Sequence, residues 1–401
     1  MAKNGETAFT FINEMHDKIK SAYKAEIKRQ EEFVSQKTGE PRLRLNSWDT
    51  AYWNQKMCKE FYQFDPEELR PYFSLENVLN GMFTIMGKLY GIRVTKRTKN
   101  KPPVWHPEVN FYDVVDTETK ELLGSFYTDW FPRSSKQSGA WMNGFIVGDR
   151  TEKKRTPHLG LMSGNLTPPT GSKPVLLTHS EVETIFHEFG HLLHLLLSDV
   201  EVKSLAGTNV PRDFVEFPSK MNENWCWERE ALDIFARHYK TGKRIPQELF
   251  EKMVQSRNFG MASFLMHQLK LGMLDISLHY KYEELKDLDI DEAARVFTKE
   301  YEPLVADEIL PMIANFSHLF ENPVGYASGY YSYKWAEVLD ADAFSRFKDE
   351  GVLNESTGRH FRSAVLSKGN SEDPEKIYHN FMGRSPNSNA LLRRLGLIQG
   401  S

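Results

Sequence analysis

The sequence predicts a mainly α-helical protein with one small antiparallel-type β-sheet, an α+β chain. Three observations lead there. Apolar residues recur at helical spacing over long stretches at both ends of the 401 residues. Between residues 105 and 165 the pattern changes to short β-branched and aromatic runs parted by polar turns. Glycines then cluster over 139–171, before the helical period returns near Thr178.

Taken in order, residues 1–100 read as helical. Phe9, Phe11, Ile12, Met15, Ile19, Ala22 and Tyr23 form an apolar stripe in a Lys/Glu/Ala-rich stretch. Ser47 or Asp49 is placed to cap a helix carrying Tyr52, Trp53, Met57, Phe61 and Tyr62, which Pro66 and Pro71 end. Ser74 to Tyr90 resumes the helical period and stops at Gly91. Residues 101–177 form the sheet region. There Phe111–Val115 and Glu121–Tyr127 flank a polar hairpin turn, with Trp141–Val147 and Leu159–Met162 as further strands. An edge strand at Leu159–Asn165 would suit pairing with an extended peptide, and an ordinary sheet strand is the equal alternative. Lys153-Lys154-Arg155 reads as a solvated turn. Residues 178–401 return to helix, and the three regions are expected to make one continuous domain.

Composition narrows the function. Fifty-one Lys and Arg stand against 55 Asp and Glu, a net charge of −4, so nucleic acid and anionic membrane are not expected partners. No run of about 18 apolar residues reads as a membrane span. Two cysteines, Cys58 and Cys226, exclude a disulfide framework. Together with a polar, charged Met1–Lys20, they lead us to expect the cytoplasm.

One segment carries chemistry. His187-Glu188-Phe189-Gly190-His191 is an H-E-x-x-H pattern. Ser180 and Glu183 have capping-box spacing, and Val182, Ile185, Phe186, Phe189, Leu193 and Leu196 give it a buried helical stripe. On that helix His187 and His191 lie one turn apart and point the same way, a pair suited to one Zn2+ per chain. Glu188 is then placed to act on a water beside the ion. A third ligand is needed. His194 continues the same helix, but ligands at i, i+4 and i+7 would spread over about 10 Å of axis, so His194 reads as a core or supporting residue. The downstream acids are Glu201, Asp213, Glu216, Glu223 and Glu228. Among them Glu216 stands out, with Pro218 suiting a first helical turn and Asp213 or Glu223 as supporting partners. A helix is expected to run on from Asn222 to His238. Farther on, Tyr326, Tyr330, Tyr331 and Tyr333 crowd eight residues. A phenol O–H there suits an oxyanion, and His318 is a further donor; for Tyr331 and Trp335 a core role fits better.

Several of these segments resemble the thimet oligopeptidase family of zinc metallopeptidases. They are His187-Glu188-Phe189-Gly190-His191, Gly207-Thr208, Asp213-Phe214-Val215-Glu216-Phe217-Pro218-Ser219, Glu223-Asn224-Trp225, the run from Gly325 to Tyr333, and Gly383-Arg384 with Pro386. The likeness runs from about Asn46 to Leu395. It implies a zincin-like fold and a zinc-dependent endopeptidase (an oligopeptidase) acting on short peptides. By resemblance His187, His191 and Glu216 are the zinc ligands, Glu188 the general base, and Tyr326, Tyr330 and Tyr333 with His318 the substrate and oxyanion contacts. Members of that family are generally longer, and this sequence is similar to their C-terminal, zinc-bearing portion. A more open groove, and a surface that allows a homodimer, are the corresponding expectations. A peptide-binding protein without turnover and one half of a split peptidase are the rival readings; Glu188 and the tyrosine run weigh against the first.

Overall fold

The structure, a computed structural model, describes residues 1–40, 45–150, 155–169, 171, 173–301, 313–320 and 325–398. Lys153 and Lys154 of the expected turn lie outside them, as do residues 321–324 between His318 and Tyr326. In chain order the main elements begin with helices α1 (Gly5–Thr38), α2 (Thr50–Tyr62) and α3 (Leu75–Tyr90). Strands β1 (Ile92–Lys96), β2 (Asn110–Asp116), β3 (Leu122–Asp129), β4 (Trp141–Ile146) and β5 (His158–Ser163) follow. Next come α4 (His179–Leu196), α5 (Arg212–Glu223), α6 (Arg229–Phe235), α7 (Gln247–Ser256) and α8 (Met261–Tyr280). Later helices include Ser332–Glu350, Glu355–Phe361, Pro374–Met382 and Asn389–Arg394. The chain is mostly helical with a small mixed sheet.

Two compact units share the chain. The first comprises Met1–Phe64, Glu251–Val338 and Ser388–Ser401. Its long helix α1 is capped by Asn4, whose side chain accepts from Thr7 N–H, and stopped by Gly39 at φ 77°. The stripe seen in the sequence is buried through Ile12, Met15, Ile19 and Tyr23. Glu26 on α1 caps the N-terminus of α8, accepting from the N–H groups of Ala262 and Ser263 at 3.0 and 2.8 Å. A carboxylate at that end satisfies otherwise orphaned donors and complements the helix dipole.

The second unit comprises Asp65–Phe250 and Leu339–Asn387. Its sheet has the order β1-β2-β3-β5-β4. The expected hairpin forms as β2 and β3, paired antiparallel. Two features depart from the sequence reading. First, residues just beyond Gly91 form a strand, β1, where helix was expected to dominate. Second, the pairing of β3 with β5 is parallel, while those of β1 with β2, β2 with β3 and β4 with β5 are antiparallel, so the sheet is mixed in detail and largely antiparallel as expected. The chain crosses over between β3 and β5 through β4, which takes the edge and leaves β5 inside. Lys136 holds that crossover: its Nζ donates to the carbonyls of Asp129 (2.7 Å), Phe131 (3.1 Å) and Gly164, and pairs with the Asp129 carboxylate. Arg133 and the Trp105 indole also donate to Asp129. The strand expected at an edge, Leu159–Asn165, is therefore an interior one, and on that side of the sheet the edge belongs to β4.

Helix α4 lies on one face of this sheet. Glycine permits the approach: a Cβ on Gly160 would meet Leu192 at 2.5 Å, and one on Gly124 would meet Leu196 at 2.7 Å. Phe189 packs on Phe83 and Phe126 at ring distances of 5.4 and 6.0 Å. Among the described residues, no helix is long and apolar enough to cross a membrane.

Candidate active site

Helix α4 starts two residues earlier than its sequence suggests. Thr178, extended at φ −71° and ψ 161°, is the N-cap, and Glu181 completes the box. Thr178 Oγ1 accepts from Glu181 N–H at 3.1 Å, and Glu181 accepts from Thr178 N–H at 2.8 Å. Glu183, expected in that role, instead accepts from the Trp227 indole at 2.7 Å. The apolar stripe of α4 is buried as expected, from Val182 through Leu196.

Helix α5 also begins earlier, at Arg212, so Pro218 lies inside it rather than in its first turn. It ends at Glu223 rather than running on. The Asn224 side chain donates to the carbonyls of Lys220 (3.2 Å) and Met221 (3.1 Å), closing the helix, and α6 follows as a separate element. The two helices touch backbone to backbone. A Cβ on Gly190 would lie 2.6 Å from Ser219 Cα and 2.8 Å from the Pro218 carbonyl oxygen. The fourth residue of the H-E-x-x-H segment is thus glycine for steric reasons, and this contact brings Glu216 to the histidines.

The Nε2 atoms of His187 and His191 lie 3.3 and 3.2 Å from one Glu216 oxygen, Oε2. Ligand atoms of the three residues all fall within 4.8 Å of one another, the one such group among the described residues. Four donors placed tetrahedrally at 2.0–2.1 Å from a zinc ion stand about 3.3–3.4 Å apart, so both measured separations match an edge of that figure. Supporting bonds fix the donors. Glu223 Oε1 lies 2.7 Å from His187 Nδ1, and Lys220 Nζ lies 3.0 Å from the same oxygen. Ser219 Oγ donates to Glu216 Oε2 at 3.0 Å.

The electrostatics follow from burial against charge. Burial acts to raise the Glu216 carboxyl, but the two imidazoles beside it prevail and hold it well below the usual range. Glu223 is likewise brought down to about 2, burial being outweighed by Lys220 and His187. Glu188 is the exception: it is 6% exposed, and burial raises its pKa against the opposing pull of His187 and His191. A carboxylate raised in this way is the better proton acceptor. His194 is fully buried, with neither ring nitrogen hydrogen-bonded among the described residues, and burial brings it down to about 3. It packs toward Phe214, outside the three-residue group. Of the other acids, Asp213 is buried in the first turn of α5, Glu201 is exposed, and Glu228 pairs with Lys348 at 3.1 Å.

The remaining sequence candidates gather in the first unit. The His318 ring stands 5.9, 5.6 and 6.4 Å from those of Tyr326, Tyr330 and Tyr333. Tyr326 stacks on Tyr333 at 5.2 Å, and Tyr330 Oη donates to Gln268 at 3.3 Å. Tyr331 and Trp335 pack on each other, and Trp335 on Phe11. The sequence reading missed Gly190 as the point of helix contact and Lys220 as the partner of Glu223. The Lys220/Glu223 spacing of three was the available signal for the latter.

The model of peptidase family M3 matches residues 1–397. The chain belongs to peptidase family M3. Relatives similar along nearly the whole chain agree. Oligopeptidase A of Haemophilus influenzae is 37% identical over 401 residues, covering 99% of this chain and 58% of that protein. Oligopeptidase A of Escherichia coli is 38% identical over 403 residues, with the same coverage of each. Dipeptidyl carboxypeptidase of Escherichia coli is 34% identical over 406 residues, 99% of this chain and 57% of its own. This M3 chain therefore spans somewhat over half the length of the relatives it matches.

Proposed function

We propose that this chain is a zinc-dependent peptidase that hydrolyses short peptides, with His187, His191 and Glu216 holding the ion and Glu188 moving the proton. The observation that carries the reading is the convergence of two imidazole Nε2 atoms on one buried carboxylate oxygen at tetrahedral-edge distances, with Glu188 beside them. Membership of family M3 supports it, as do relatives named for oligopeptidase and dipeptidyl carboxypeptidase activity.

Zinc, when bound, supplies Lewis-acid polarisation of the scissile carbonyl and acidifies a water. The chain's residues do the rest. Glu188 receives the proton of the attacking water on its carboxylate and hands it to the leaving amine. Glu223 orients His187 through Nδ1 and keeps its Nε2 turned to Glu216. Strand β4, exposed from Asn143 to Ile146 and lying against α4 where Gly144 meets Leu195, offers its edge to an extended substrate backbone. Tyr326, Tyr330 and Tyr333, with His318, are assigned by resemblance to the substrate and its oxyanion.

The test is zinc content and cleavage of a quenched fluorescent oligopeptide by wild type and Glu188→Gln. Loss of a general base lowers turnover about 10²–10⁴-fold, while zinc stoichiometry stays at wild type. A Glu188→Gln protein that binds zinc and cleaves at the wild-type rate would remove Glu188 from its role.

A further inference from the structure

We propose that Asp275 is the positioning residue of the tyrosine loop: a buried carboxylate on α8 that holds residues 325–333 in the shape that presents their phenols. This rests on the reading that those tyrosines meet the substrate.

Asp275 is fully buried near the C-terminal end of α8. Its two oxygens are divided between two loop amides. Oδ1 accepts from Ser328 N–H and Oδ2 from Tyr330 N–H, both at 2.8 Å. His279, one turn farther along α8, places Nδ1 3.0 Å from Oδ1, and this bond holds its own pKa above the ordinary value. A buried aspartate in a helix interior serves the helix poorly, since its short polar side chain competes with the helical backbone. Here it serves the loop.

The loop needs such a partner. Ser328 sits at φ 58°, the left-handed region that non-glycine residues avoid. A residue in that state persists only where its surroundings over-determine it. One of the two bonds to Asp275 comes from this residue's own N–H and the other from Tyr330, two residues on. They also seat Tyr330, whose ring packs on Phe316 at 5.0 Å and on Tyr333 at 5.3 Å. Asparagine in place of Asp275 would keep one acceptor oxygen and turn an NH2 group toward the other loop N–H.

The experiment compares wild type, Asp275→Asn, the double variant Asp275→Asn/Ser328→Gly, and Tyr→Phe at 326, 330 and 333. Three quantities are read: peptide kcat/KM, zinc affinity against a competing chelator, and hydrogen–deuterium exchange of the peptide covering 325–333. In Asp275→Asn we expect kcat/KM to fall about tenfold, the worth of one charge-assisted hydrogen bond. Loop exchange should rise by at least a similar factor, with zinc affinity unchanged. Ser328→Gly should recover part of the loss, because glycine takes positive φ without steric cost. A merely structural defect would not be relieved by a loop glycine. Wild-type exchange over 325–333 in a folded Asp275→Asn protein overturns the proposal. So does a loosened loop with undiminished kcat/KM while the Tyr→Phe variants are slow. If all three Tyr→Phe variants keep wild-type kcat/KM, the reading of the tyrosines fails and the positioning role falls with it, whatever the exchange shows. Should Asp275→Asn not fold, Asp275→Ser, smaller and neutral, carries the same comparisons.

Discussion

Adding one methyl group at Gly190 should uncouple the two halves of the candidate metal site. The methyl of Gly190→Ala would stand 2.6 Å from Ser219 Cα and 2.8 Å from the Pro218 oxygen. Both are backbone atoms, so no side chain can swing aside. Ordinary van der Waals contact between carbons needs about 3.5–4.0 Å, so α5 must retreat by roughly 1 Å. Overpacking of this kind costs about 1–3 kcal/mol of stability. The effect on the metal should be larger in proportion. Glu216 rides on α5, and a carboxylate ligand must reach the ion to within about 0.2 Å of its preferred length. A 1 Å retreat exceeds that tolerance, and we expect zinc affinity to fall at least about 10–100-fold, the range seen when a supporting partner is lost. The assay is zinc competition with a chromophoric chelator alongside chemical denaturation of the metal-free protein. A Gly190→Ala protein with wild-type zinc affinity would refute the reasoning, because the close approach would then not be what delivers Glu216.

Glu223→Gln keeps the size of the side chain but weakens its hold on His187 Nδ1; zinc affinity should drop about 10–100-fold with the fold intact, and an unchanged affinity in the same competition assay would contradict the assignment. His194→Leu removes two buried nitrogens that lack partners among the described residues, so it should bind zinc one-to-one and be more stable by about 1–3 kcal/mol in urea; loss of the metal would instead make His194 a ligand. Asp129 predicts a signature in acid. Burial acts to raise its carboxyl, but Arg133, Trp105 and Lys136 prevail and hold it at about 2, below the 3.8 of a free aspartate. A depressed carboxyl contributes stability that is fully present above the unfolded value and is lost as pH falls through the folded one. The shift corresponds to about 2 kcal/mol. The stability gap between wild type and Asp129→Asn should therefore narrow by about that amount from pH 6 to below pH 2, measured by denaturant titration at each pH; a constant gap would sink it.

What the sequence made legible follows from range. His187 and His191 sit one turn apart on any helix, so their common direction was readable from spacing alone. Glu216 stood out among five downstream acids, but spacing alone did not decide it, because its arrival depends on a contact between Gly190 and Ser219 that no local pattern announces. The capping box was misplaced by two residues because Thr178/Glu181 and Ser180/Glu183 have the same spacing; only the extended backbone of Thr178 decides between them. Strand β1 was missed because Ile92-Arg93-Val94-Thr95-Lys96 is only five residues long and follows directly on the helical period of α3, which masks its β-branched composition. The parallel pairing of β3 and β5 is likewise a property of the crossover, not of either strand's composition. Asp275 gave no signal, since a lone acid in a helical pattern looks like a solvated position until the loop it holds is seen.

The cap that Glu26 places on α8 joins residues 236 apart along the chain. On a ribosome adding about 5–20 residues per second, α1 would emerge roughly ten to fifty seconds before the helix it packs against. Throughout that interval its stripe of Ile12, Met15 and Ile19 is without α8. Molecular chaperones that shield nascent apolar segments should therefore matter most early in synthesis, and slowing translation between α2 and α8 should lower the soluble yield.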